Sequence, residues 1–380
     1  MRVMFCAAPG VGHLFPLVSL AWAFRAAGHD VVVTVAEHSA RAAAAGLEVV
    51  DVAPGFSSVA VFEEVARDYP DFAATATTKP VVDVSDWAPS IAAVNRRAVD
   101  RTVQLADEWE PDLVVYDQGA TAGLFGAARR GVPAVQRNLG GNRTGRLHKA
   151  VGGYLQDLCE RYRVVLPEPD VTLEAFPPSM LQYEPEGWFT RWVTYSGGAV
   201  LDDWLTRAPE RPRIAITLGT IELQTFGVDS VAPLLAAAAG ADAEFVLALG
   251  DVDISPLGEL PPNVRSVGWV PLHVLLRTCA AVVHHGGSAT TITAVDSGVP
   301  QLAAVDPRDQ MQHVTCNAIR HSGVGLVCDR ADVTSALLER LVVDDGLRAA
   351  TAAVRAEIAG LPSPAVVVDR IADQLADRLP

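Results

Sequence analysis

No two of the five cysteines (Cys6, Cys159, Cys279, Cys316, Cys328) stand at C-x-x-C spacing, and their number is odd. Neither a disulfide framework nor a thiolate zinc site is indicated, and the expected state is free thiols in a reducing cytoplasm. A secretory leader is also missing: Met1-Arg2-Val3-Met4-Phe5-Cys6 runs into Pro9 and Gly10 without an extended apolar region or cleavage site. No apolar run reads as a membrane span, because the longest Ala-rich stretch, 231–250, is interrupted by Asp242 and Glu244. Basic residues are scarce. Against 45 Asp and Glu there are 30 Lys and Arg, a net charge of −15, which argues against nucleic acid or an anionic membrane as partner. An anionic ligand must then be held by local dipoles and chosen side chains against the overall field. Internal repeats and low-complexity tails are absent too.

What is present is a globular balance, with half the residues hydrophobic over 380 positions. At roughly 100–200 residues per domain this predicts two domains. The apolar run 2–8 leads into Gly10-Val11-Gly12, after which Leu14, Leu17, Val18, Ala21 and Phe24 recur at helical spacing, with Pro16 in the first turn and Gly28 just beyond the end. A strand over 30–35 follows. Strand–glycine loop–helix–strand is the opening of a parallel βαβ sheet, and the rhythm returns at 112–116, 120–130 and 132–136. The pattern breaks near residue 200. A polar linker, 204–212, carries Pro209 and Pro212, and a second series follows with strands at 214–218, 244–249, 264–267, 281–284 and 301–304. The domains expected are 1–203, the linker 204–212, 213–362, and a C-terminal helix, 363–380, crossing back to the first. The segment 53–89 has weak periodicity and reads as loops. The fold class is α/β: two doubly wound, Rossmann-like domains facing across a cleft, with ligands beyond the carboxyl ends of the strands.

Four constellations carry chemistry. In Gly10-Val11-Gly12-His13 the dinucleotide pattern G-x-G-x-x-G fails at Phe15, so the turn reads better as a mount for His13, whose neutral imidazole can accept a proton. Asp117 ends a strand of the same sheet; it either orients that imidazole or caps the helix near Ala120. Val283-His284-His285-Gly286-Gly287-Ser288-Ala289-Thr290 follows a strand and opens a helix, an anion site built from free N–H groups, with His284, Ser288 and Thr290 adding side-chain donors. Asp309 and Gln310 stand at a loop–helix junction, suited either to sugar hydroxyls or to capping. Trp269, in Gly268-Trp269-Val270-Pro271, suits either stacking on a base or the core. Asp251-Val252-Asp253 is a literal D-x-D without partnering acids, and reads as a solvated turn.

Taken together, these motifs resemble the GT-B family 1 glycosyltransferases of actinobacterial antibiotic pathways. The opening 10–17, the G-W-x-P turn, the H-H-G-G helix start and the Asp309-Gln310 pair occur in family order along essentially the whole chain. Segments 36–38, 111–119, 188–192 and 250–257 are similar to the enediyne glycosyltransferases of calicheamicin biosynthesis. The resemblance implies an inverting hexosyltransferase. His13 would deprotonate the acceptor and Asp117 would hold His13. His284 and the amides of Gly286, Gly287, Ser288, Ala289 and Thr290 would bind the diphosphate, and Thr217, Gly219 and Thr220 would lie near it. Trp269 would stack on the base, with the Val270 backbone pairing to its edge, and Asp309 and Gln310 would hold the sugar. No metal or cofactor would be needed. Plant-type relatives have Glu eight residues after the phosphate-binding His, where this chain has Ile292; loss of that ribose partner, worth ~1–3 kcal/mol, favours a thymidine diphosphate (TDP) deoxysugar donor. The partners implied are that donor and a small-molecule aglycone, of enediyne or other polyketide type. Oligomeric state is unread, with a homodimer among the options. Two rival functions share the scaffold, a nucleotide-sugar epimerase and a non-catalytic nucleotide-sugar-binding auxiliary protein.

Overall fold

The structure is a computed structural model that describes residues 1–37, 39–219 and 221–379. It divides into two compact units, 1–193 with 361–380, and 194–360. Each is built on a parallel sheet with helices between its strands.

In the first unit seven strands are β1 (Arg2–Cys6), β2 (Asp30–Val35), β3 (Glu48–Asp51), β4 (Leu113–Asp117), β5 (Ala134–Arg137), β6 (Val171–Glu174) and β7 (Trp188–Phe189). They lie in the order β3-β2-β1-β4-β5-β6-β7, all parallel. Strands sandwiched between helix layers must be apolar on both faces, and Val3, Met4, Phe5 and the run 113–116 are fully buried. The helix Val11–Ala26 buries Leu14, Leu17, Val18, Ala21 and Phe24, the residues its spacing picked out. The C-terminal helix Pro364–Gln374 is capped by Ser363 and belongs to this unit, where Arg370 stacks 3.7 Å over Trp188.

The second unit repeats the plan with β8 (Arg213–Thr217), β9 (Glu244–Ala248), β10 (Val264–Val267), β11 (Ala281–His284), β12 (Gln301–Val305) and β13 (Gly325–Asp329), in the order β10-β9-β8-β11-β12-β13 and again all parallel. In both sheets the strand order reverses once, between β1 and β4 and between β8 and β11. Those two switch points are where an open α/β sheet leaves room for a ligand beyond its carboxyl edge.

Two expectations are corrected. The segment 53–89 is largely helical, with Ser58–Asp68, Pro70–Ala76 and a 3-10 turn Val84–Trp87. Ser57 caps the first helix by accepting from the Ala60 amide, and Val61 and Val65, one turn apart, form its buried stripe. Val59 and Phe62, beside that stripe, are exposed, so the apolar residues of 58–68 do not keep to one face and the periodicity is weak. The polar stretch 204–212 is no independent linker either. Residues from Thr194 onward belong to the second unit, tied by Thr194 to Asp296 at 3.0 Å and by Ser196 to His273 at 2.6 Å. Trp204, in the short helix Asp203–Thr206, is covered by the guanidiniums of Arg213 and Arg265, 5.0 and 3.6 Å from its ring centre.

One buried ion pair locks the second unit. Arg330, just after β13, is hydrogen-bonded to Glu222 on the helix Ile221–Phe226, and both side chains are almost wholly buried. Burial pushes the Arg330 pKa down to about 10. Replacing Arg330 with Met strands the Glu222 carboxylate, and a loss of about 3–5 kcal/mol in urea unfolding is expected. The double variant with Glu222→Leu should recover most of that loss.

Candidate active site

At the first switch point Gly10, with φ of 101°, turns the chain out of β1 and starts the helix that carries His13. Only a residue without Cβ adopts this conformation at little cost. Asp117 is the last residue of β4, beside β1, and is completely buried. Its carboxylate accepts three hydrogen bonds: from the Ala8 amide at 2.6 Å, the Gly119 amide at 2.7 Å and His13 Nδ1 at 2.8 Å. Those contacts fix the oxygens, and the oxygens in turn fix the imidazole with its proton on Nδ1. Nε2 is left with its lone pair, on a side chain that is 37% exposed. Burial disfavours the imidazolium, but the charge and hydrogen bond of Asp117 outweigh it, and the His13 pKa is raised from its ordinary value. This is the electrostatics of a general base with an orienting carboxylate.

Asp117 therefore does not cap the following helix, Ala122–Arg130. That helix is capped from elsewhere in the chain by Asn95, whose Oδ1 accepts from the Ala122 amide at 2.7 Å while its Nδ2 donates to Gly119 O at 2.7 Å. Asn95 is buried on the helix Ala88–Arg96, and motif reading missed it. Its sequence signal is a polar residue in line with Ala88 and Ala92, the buried alanines of that helix. Gly119 was missed as well; a Cβ there would stand 3.0 Å from His13 Cε1 and 3.1 Å from Asp117 Oδ1.

The second switch point gathers Thr217 at the end of β8, Gly219 with φ of 70°, and the turn His284–Gly287 after β11. Thr220 lies outside the described residues. The helix Ser288–Asp296 starts at Gly287, and no side chain caps it. Its first backbone bond runs from the Thr291 amide to Gly287 O, so the amides of Ser288, Ala289 and Thr290 come before the helical ladder begins. Ser288 Oγ bonds Thr315 Oγ1 at 2.9 Å.

His284 is not placed to bond a diphosphate. It is fully buried, its Nε2 lies 2.8 Å from Gln301 Oε1, and its Nδ1 accepts the Gly286 amide at 3.1 Å. Burial, with the neighbouring His285, pushes its pKa down to about 3, so it stays neutral. The neighbour sits differently. His285 is partly exposed, its ring fits against Gly219 and Gly287 where a Cβ on either would collide with it, and its Nδ1 is buried without a hydrogen-bond partner among the described residues. Burial holds it neutral too, with a pKa of about 4.

Trp269 leaves β10 in a turn, its indole flanked by Gly250 and Gly197. Val270 packs against the apolar cluster of Leu276, Val282 and Ala294. Asp309 caps its own loop, accepting from the Met311 amide at 3.1 Å and Gln312 Nε2 at 3.2 Å, and burial raises its pKa. Gln310 Nε2 donates to Pro307 O at 2.7 Å. Both polar side chains are thus positioned by the loop itself.

Comparison with known proteins decides the family. Models of the erythromycin biosynthesis protein CIII-like N-terminal and C-terminal domains match residues 22–219 and 232–374. The elloramycin glycosyltransferase ElmGT of Streptomyces olivaceus is 39% identical, over 98% of this chain and 97% of its own length. The chain belongs to the erythromycin CIII-like glycosyltransferases. The glycosyltransferase SnogD from Streptomyces nogalater, 36% identical, superposes with a TM-score of 0.83 over 98% of this chain and 99% of its own. The glycosyltransferase VinC, in complex with dTDP, is 27% identical with a TM-score of 0.80 over 99% and 100%. The two Rossmann-like sheets are those of the GT-B glycosyltransferases.

In this glycosyltransferase Ile292 is wholly buried, so its side chain neither walls nor contacts a ribose. Asp253 accepts from the amide and hydroxyl of Ser255, forming a local turn. No group of three or more His, Cys, Asp or Glu side chains suited to a metal ion occurs among the described residues, and no described helix is long and apolar enough to cross a membrane.

Proposed function

We propose that this glycosyltransferase moves a deoxysugar from a TDP-sugar to a hydroxyl of a polyketide-type natural product, with inversion and without a metal. The observation that carries the reading is the His13–Asp117 pair, 2.8 Å apart at a switch point. His13 Nε2 takes the acceptor's O–H proton. The acceptor oxygen attacks the anomeric carbon from the face opposite the diphosphate, the bond from that carbon to the phosphate oxygen breaks, and TDP leaves. The N–H groups of Ser288, Ala289 and Thr290 receive the developing charge. Asp309 and Gln310 hold the sugar hydroxyls, and Trp269 with the Val270 backbone takes the base. The dTDP bound by VinC supports the choice of nucleotide. The elloramycin relative supports a natural-product acceptor, and the sequence resemblance named above supports an enediyne within that class. Five free thiols suit the cytoplasm as its compartment.

The test is turnover of a TDP-deoxysugar panel with polyketide aglycones, an enediyne among them, in excess chelator. Glycosylated product of inverted configuration is expected, at a rate the chelator leaves unchanged. Donor isomerised without acceptor would make the protein an epimerase, and donor bound without any turnover would make it an auxiliary protein. Loss of activity in chelator overturns the metal-free step.

A further inference from the structure

We infer that Gln301 is a positioning residue of the donor site: through His284 it sets the turn that presents the first amides of the helix Ser288–Asp296 to phosphate. The inference rests on the phosphate reading above. Gln301 opens β12 and is fully buried beside β11. Its backbone and Cγ leave no space for a side chain at residue 325, which is Gly in the paired strand β13. So placed, its Oε1 meets His284 Nε2 at 2.8 Å.

The direction of each bond follows from its partner. The Gly286 amide can only donate, so His284 Nδ1 must be the bare nitrogen. Nε2 must then carry the proton and donate it to Gln301 Oε1. The His284 bond commits the Gly286 amide within the buried turn. Gly286 holds a φ of 94°, in a space where a Cβ would meet Cys316 Sγ at 3.1 Å and Val305 Cγ1 at 3.2 Å. With that amide committed, the donors that follow before the helical ladder begins are those of Gly287, Ser288, Ala289 and Thr290. Remove the Gln301 acceptor and His284 is free to switch tautomer. Its Nδ1–H then opposes the Gly286 N–H, two donors face each other in a buried site, and the turn has to shift.

Two variants and one spectrum test this. Gln301→Met keeps the length and removes the acceptor; Gln301→Glu restores an acceptor for the same proton. For the Met variant, TDP affinity by calorimetry is expected to fall about tenfold, ~1.4 kcal/mol, with donor kcat/KM falling in step and acceptor KM unmoved. The Glu variant should recover to within about threefold of wild type. Nitrogen-15 spectra of histidine-labelled wild type should show His284 protonated at Nε2, and TDP should shift the amides of residues 286–290. A Met variant that binds TDP like wild type, or that loses donor and acceptor binding alike, overturns the positioning role while leaving the phosphate reading intact. Should the Met variant fail to fold, a wild-type His284 protonated at Nδ1 overturns it instead. If TDP leaves the amides of residues 286–290 unmoved in wild type, the phosphate reading and the inference fall together.

Discussion

Replacing His13 with Ala is expected to lower kcat by about 10²–10⁴-fold, the range for loss of a general base, while TDP binding stays within about twofold of wild type. The separation follows from the fold. His13 stands on the helix after β1 in one compact unit, whereas the helix start proposed to hold phosphate is in the other. Folding should suffer little, because His13 is 37% exposed and the Ala8 and Gly119 amides still hold the Asp117 carboxylate. Single-turnover rates with saturating acceptor and TDP titrations on the same preparation check both halves. A variant with full kcat would mean that another group takes the proton, and the base would have to be sought elsewhere at the β1–β4 edge.

Much of this was legible in the sequence, for a local reason. His13, Asp117 and the 284–290 turn each follow an apolar run that can only be an interior strand, so chain order alone puts them on carboxyl edges. The register between β1 and β4 then decided which reading of Asp117 holds, because it sets the carboxylate beside the Ala8 amide instead of the Ala122 amide. What the sequence could not show is non-local. Asn95 reads as one polar residue of a short helix until Gly119 and Ala122 are brought against it from another loop. Trp204 reads as part of a linker because Asp202, Asp203 and Pro209 surround it, while the two arginines that cover it come from β8 and β10. The adjacent histidines are the sharpest case. His284 ends β11 wholly buried while His285 follows it in the turn and is partly exposed, and the pattern H-H-G-G does not say which nitrogen finds a partner. The buried one is His284, held by Gln301 from a strand 17 residues on.

Asp117→Asn is expected to reduce kcat by about 10²-fold or more and also to move the acid limb of its pH profile to lower pH. The rate falls because an amide offers the ring either an oxygen or a donor, no longer a charge that stabilises the imidazolium formed as His13 takes the acceptor proton. The direction of the pH shift follows from the opposing influences on His13 itself. Burial lowers its pKa, the Asp117 charge and hydrogen bond raise it, and in wild type the raising wins. A base must be neutral to act, so wild-type activity is lost as pH falls through that raised pKa, earlier than for an ordinary histidine. Without the charge, burial alone remains, and the ring stays neutral to lower pH. The variant should also be less stable by about 1–3 kcal/mol, since the Ala8 and Gly119 amides and His13 share two carboxylate oxygens and an amide has only one to offer them. Instability alone would lower the fraction folded at every pH alike. A profile that falls uniformly, with its acid limb where wild type has it, would reduce Asp117 to a structural anchor; a limb displaced downward ties the carboxylate to the proton on His13.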